Sequence, residues 1–161
     1  MRITILIIVV LLSCLSCSNN KELNSNAVNI DVVSAYLMDG EVWVKSKQSG
    51  EIKITKTNNM IDKIDISPSI RYVAANKIID YYEQEDNIEN PTKYFKEPIY
   101  SILIIDLQEK KVISELKSLK EIIHPIGWES NNTYKFGEGS TLDIHSIYIY
   151  NPATRETIKN E

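Results

Sequence analysis

Val42-Trp43-Val44-Lys45-Ser46 opens the run VWVKSKQSGEIKITKTNNMIDKIDISPSIRYVAA (Val42 to Ala75), and the fold turns on it because its pattern comes back twice. Ile102-Leu103-Ile104-Ile105-Asp106 follows 60 residues later, and Ile147-Tyr148-Ile149-Tyr150-Asn151 a further 45. In each copy an apolar strand ends on a polar residue, crosses a short turn and enters a second strand, at Ile52, Val112 or Thr157. A second set aligns at an offset of 62, with Ile66 over Trp128, Tyr72 over Tyr134 and Ala74 over Phe136. Self-similarity at this spacing is the mark of a repeat architecture, in which each unit buries its apolar face against the next.

Around these copies the chain reads as strand after strand. Period-two alternation with β-branched and aromatic enrichment predicts strands at Val32–Met38, Glu41–Lys47, Glu51–Thr57, Lys63–Ile66, Arg71–Asp80, Tyr100–Leu107, Lys111–Leu116, Ile122–Trp128, Thr133–Gly137, Ser146–Tyr150 and Arg155–Lys159. Asp39-Gly40, Ser49-Gly50, Asn131-Asn132 and Asn151-Pro152 supply turn chemistry between them. Only Ser114–Ile123 admits a helical alternative, through Leu116, Leu119 and Ile123, and strand is the preferred reading. The expectation is an all-β domain of two to three propeller-like antiparallel blades. A loop from Glu83 to Pro98 lengthens the middle unit; without it both units fall near the 40 to 45 residues usual for a blade.

Val42 to Ala75 resembles the blade of TolB-type, WD-repeat-like periplasmic propellers. Ser67-Pro68 keeps the Ser-Pro of that family's strand-ending turn, with Ile66 where the family has Trp. The later copy keeps Trp128 but continues Glu129-Ser130-Asn131-Asn132 in place of Ser-Pro-Asp-Gly. The likeness extends over Val33 to Lys159 and implies a binding scaffold. About eleven strands are too few to close a ring of four to eight blades. An incomplete propeller, or curved β-sheet arc, standing alone is therefore expected, with a ring completed by other chains as the alternative. Lys47, Lys53, Lys56 and Lys159 are placed to shield open strand edges.

The N-terminus, MRITILIIVVLLSCLSC, addresses the protein. Arg2 followed by the apolar run Ile3 to Leu12 has signal-peptide length, too short to span about 30 Å of hydrocarbon. Leu11-Leu12-Ser13-Cys14 resembles a bacterial lipobox, which implies a signal peptide at 1–13 and lipidation of Cys14, with Cys17 as the alternative. A tether at 14–26 then leads to the β domain at 27–161. Several acyl chains, each methylene contributing about 0.8 kcal/mol, give stable attachment. The implied location is the bacterial cell envelope, lipid-anchored, with Leu15 after the cysteine favouring the outer over the inner membrane. Both cysteines of the chain lie in this segment, so the domain must fold without disulfides.

Charge and motif content narrow the function. The chain carries 18 basic and 22 acidic side chains, and the lysines are scattered, so nucleic acid is not an expected partner. His124 and His145, the only histidines, have no Cys or paired acid at metal-ligand spacing, and no nucleophile elbow or glycine-rich phosphate cradle occurs. No metal, no cofactor and no catalysis is the expectation. The acids Glu83, Glu85, Asp86 and Glu89 match no calcium loop and read as solvated. Their aromatic flanks are the better clue. Tyr81, Tyr82, Glu83, Glu85, Asp86, Tyr94 and Phe95 form the candidate contact surface for a protein or glycan partner, since recognition usually sits on loops held by a rigid scaffold. A non-catalytic binding lipoprotein is the first reading. An inhibitor or immunity-type lipoprotein, and a reduced propeller accessory of an exported hydrolase, remain open beside it.

Overall fold

The computed structural model describes residues 31–85 and 94–160, with side chains described for all but residues 84, 85, 94 and 95. Cys14, Cys17, the signal segment and the tether lie outside the described residues. What is described is all β. Eleven strands run in chain order as β1 (Val32–Met38), β2 (Glu41–Ser46), β3 (Gly50–Lys53), β4 (Ile61–Ile66), β5 (Tyr72–Glu85), β6 (Tyr94–Asp106), β7 (Lys111–Leu116), β8 (Ile122–Ser130), β9 (Thr133–Gly139), β10 (Ile144–Asn151) and β11 (Glu156–Asn160). Leu116 closes β7 and Leu119 is exposed, so the helical alternative at Ser114–Ile123 is not taken.

The strands form three antiparallel meanders, here called blades: β1-β2-β3, β4-β5-β6-β7 and β8-β9-β10-β11. The three sequence copies fall on one and the same strand of each blade: β2, β6 and β10. Their terminal polar residues perform one task three times. The Ser46 hydroxyl accepts the backbone N–H groups of Gln48 and Ser49, the Asp106 carboxylate those of Gln108 and Glu109, and the Asn151 side chain those of Ala153 and Thr154. Four residues after each cap the chain turns through positive φ, at Gly50 (70°), Lys110 (53°) and Arg155 (61°). A side-chain acceptor that organises a tight turn explains why each apolar strand ends on Ser, Asp or Asn.

The ladders correct the second alignment by one residue. Ile66 stands opposite Val73 and Trp128 opposite Tyr134, so the counterpart of Tyr134 is Val73 and not Tyr72, and that of Phe136 is Ala75 and not Ala74. The β4–β5 turn holds the extra residue: Ser67, buried, accepts the Tyr72 N–H on its hydroxyl, and Ile70 sits at φ 56°. The Ser-Pro pair thus makes a strand-ending turn, as its sequence suggests.

Burial explains the middle blade's composition. Val73, Ala75, Leu103 and Ile105 face blade one and join a core with Val32, Ala35, Val42 and Val44. Their neighbours Ala74, Ile102 and Ile104 face blade three, packing with Ile123, Tyr134, Phe136 and Tyr150. A sheet covered on both faces needs continuous apolar runs, whereas one-sided sheets alternate. Polar bonds clasp the seams as well. Lys110 donates to Asp31 at 2.8 Å across the first seam, and this bond with that of Ser46 holds the Asp31 carboxyl down at about 2. At the second, Trp128 donates its indole N–H to the Asp65 carbonyl at 3.1 Å while its ring lies 6.1 Å from Tyr72 and 5.1 Å from Tyr134.

One connection is held by a buried acid. Glu41, 2% exposed, accepts from the Thr55 hydroxyl (2.5 Å) and from the backbone N–H groups of Thr57 (2.7 Å) and Asn59 (3.3 Å). Burial pushes its carboxyl up, and these donors outweigh it and bring it to about 2. The loop passes so close that a Cβ on Gly40 would lie 2.3 Å from the Asn59 carbonyl oxygen. Gly40 also holds φ 63° beside Asp39 at 51°, the geometry of a two-residue type I′ hairpin.

Candidate functional site

Within the stretch expected as a loop, the described residues, 83–85 and 94–98, are strand. β5 and β6 stay paired from Tyr72 opposite Asp106 outward to Glu85 opposite Tyr94. Their flanking strands leave the sheet much earlier, β4 at Ile61 opposite Lys77 and β7 at Leu116 opposite Ile102. From Ile78 and Tyr100 outward, therefore, a two-stranded ribbon projects about 25 Å with both edges free of strands from the described residues, at a rise of about 3.4 Å per residue. Tyr72–Glu85 contains neither Gly nor Pro to end it, and Pro98, opposite Tyr81, is tolerated because the ribbon's outer edges need no ladder donor. A bulge at Ile79 resets the register as the ribbon leaves the sheet.

Most of the expected contact residues fall on this ribbon. Tyr81, opposite Pro98, is 49% exposed. Tyr82 stands opposite Glu97 and donates its phenol to that carboxylate at 2.5 Å. Glu83 faces Lys96 across the ribbon with an ion pair of 3.3 Å. Glu85 and Tyr94 close the described ladder, and Phe95 follows; only their backbone is described. Asp86 and Glu89 lie outside the described residues. Tyr81 and Tyr82 point to opposite faces, as the strand alternation requires. The predicted surface is therefore two-sided.

Beneath one side is a cleft that the sequence did not announce. It measures about 290 Å³ and lies between the ribbon's base and blade three, with Tyr82, Glu97, Tyr100, His124, Pro125 and Thr141 among its walls. Tyr100 donates to Asp62 at 2.5 Å, and burial together with that carboxylate pushes its phenol up. The bond to Glu97 does the same for Tyr82. Both phenols therefore stay protonated and donate at neutral pH, and Glu97 is the carboxylate in the cleft wall. Such a wall offers aromatic faces and carboxylate acceptors to a group rich in hydrogen-bond donors.

Among the described residues, the contact of His124 is to a backbone carbonyl and not to a hydroxyl. The His124 ring nitrogen lies 2.9 Å from the Ser140 carbonyl oxygen, a capping contact at the β9–β10 turn. The Ser140 hydroxyl accepts the N–H groups of Leu142 and Asp143. His145 lies 3.9 Å from Asp143. Among the described residues no three His, Cys, Asp or Glu side chains converge as metal ligands would. His124, Pro125 and Thr141 come to the site from blade three, far in sequence from Tyr82 on β5. The only signal that could have pointed there is the surplus length of the middle unit, which places a long ribbon beside the start of the next blade.

Compared with protein-family models and with curated protein sequences, the chain matches none.

Proposed function

We propose that this chain is a lipid-anchored envelope protein of the TolB-like, propeller-blade type, acting without catalysis as a binding module whose ribbon and underlying cleft capture a protein partner. The observation that carries the reading is the ribbon: two strands leave a core buried on both sides and present Tyr81, Tyr82 and a cleft walled in part by Glu97. Tyrosines on a stiff support give contact area and hydrogen bonding at small entropic cost. The cleft's carboxylate, Glu97, favours a partner segment carrying Lys, Arg or amide donors. Cys14, or Cys17 in its place, would fix this surface beside the membrane.

Crosslinking in intact cells, followed by mild detergent extraction, tests it. The unaltered chain should recover a stoichiometric protein partner, and deletion of Gln84 to Lys96 should abolish recovery while leaving the unfolding transition in place. Recovery undiminished by the deletion refutes the ribbon as the capture surface. In the same cells Cys14→Ser should release the chain from the membrane fraction, and release by Cys17→Ser alone would move the anchor there.

A further inference from the structure

The seams between blades are built from repeat-equivalent positions, and the same positions recur on the two outer faces of the stack. Toward the following blade, blade one sends Val42 and Val44, and blade two sends Ile102 and Ile104; all four are fully buried. Their equivalents in blade three are Ile147 and Ile149, which are only half-buried and belong to neither core cluster. Beside Ile149 stands Ile158, its direct partner across β10 and β11, 65% exposed. Toward the preceding blade, blade two sends Leu103 and Ala75, and blade three sends Tyr148 and Phe136. Their equivalents in blade one are Trp43 and Tyr36, a cross-strand pair on the other outer face.

We infer that blade three of one copy docks its outer face on blade one of a second copy, continuing the intramolecular seam between chains. The surfaces fit this occupant. A groove of about 380 Å³ on blade three, walled by Thr133, Ile149, Asn151, Glu156 and Ile158, lies where the next blade's strand would pack, and Trp43 is the residue that strand would send into it. Lys45 stands two residues beyond Trp43 on the same face, and Glu156 two before Ile158; both are exposed and neither forms an ion pair within the described chain. They complement each other across the junction. Two arcs of three blades make six, within the four to eight that close a propeller. The junction is head-to-tail, and a ring of two copies contains it twice. This inference does not rest on the ribbon's role.

Native mass spectrometry of the solubilised protein should show a dimer, and Ile158→Lys, a change at a site 65% exposed, should raise the dimer dissociation constant at least tenfold while leaving the monomer's unfolding midpoint unchanged. Co-expression of differently tagged Trp43→Cys and Ile158→Cys chains should yield a disulfide-linked hetero-tag dimer, with the unsubstituted chain, whose two cysteines are Cys14 and Cys17, setting the background. A monomer at all concentrations overturns the inference, leaving the faces to a different chain. Crosslinking of Trp43→Cys to itself in place of Ile158→Cys also overturns it, as does an open polymer.

Discussion

The same two strands are enclosed on both faces at one end and open to solvent at the other. Between Tyr72 and Lys77, β5 and its partner β6 lie between two other blades, and Val73, Ala74, Ile102, Ile104 and Ile105 are fully buried. Beyond Ile78 the strands stay paired after the one-residue shift at Ile79, yet Ile79 is 47% and Tyr81 49% exposed. Backbone pairing is alike in both halves. What differs is coverage, so the contrast separates what a ladder contributes from what a packed face contributes. An isolated two-stranded ribbon is marginal in water. The outer half persists because the inner half anchors it.

The strongest way to break that contrast is to open the covered half. Ile104→Ala removes a side chain held between β6 and the aromatic group of blade three, at the centre of the second seam. Deleting this much buried aliphatic volume should cost about 2 to 5 kcal/mol, read as a lower denaturation midpoint at unchanged slope. A loss under about 1 kcal/mol would mean that blade three is not packed as described.

Next in size is the polar clasp. Glu41 and Asp31 both titrate near 2 in the folded protein against ordinary values of 4.5 and 3.8. A carboxyl whose folded value is depressed stabilises the fold fully above its unfolded value, and that contribution is lost as pH falls toward the folded one. Stability should therefore be flat near neutrality and drop between about pH 4.5 and 2. For Glu41, fully enclosed, the contribution is on the order of 3 kcal/mol. Glu41→Gln should be less stable than the unaltered chain at pH 7, because an amide cannot accept every bond that the carboxylate does, and its acid decline should be shallower. Parallel acid curves for the two proteins would remove Glu41 from this role.

The covered half was legible in the sequence, and the ribbon's surroundings were not. All eleven strands are visible as alternation, and the three polar terminators declare one repeated turn, because strand period and turn chemistry are local properties. Register between strands is less local: one extra residue between Ile66 and Val73, absorbed at Ile70, shifted the predicted pairing. The loop expectation at Glu83–Pro98 failed where charge was read as solvation. Glu83 and Lys96 are solvated, but as cross-strand partners in a ladder. The cleft was hidden for a further reason. Tyr82 and Tyr100 meet His124 and Pro125 only once blade three stacks on blade two, and no spacing in the chain encodes that meeting.

The smallest effect belongs to the exposed half and sharpens the contrast from the other side. Tyr82→Phe deletes the phenol that donates to Glu97 and retains the ring. An exposed bond of this kind contributes little, because water replaces it on unfolding, so the loss should stay within about 1 kcal/mol. The Glu97 carboxylate, freed of that donor, then faces the cleft with its full accepting capacity. If the cleft receives a donor-rich segment, Tyr82→Phe should bind its partner as well as the unaltered chain or better, whereas Glu97→Gln should weaken capture several-fold at equal stability. Equal loss from both substitutions would instead make the phenol itself the contact. The ribbon would then recognise its partner by its own hydroxyl, with the carboxylate serving only to aim it.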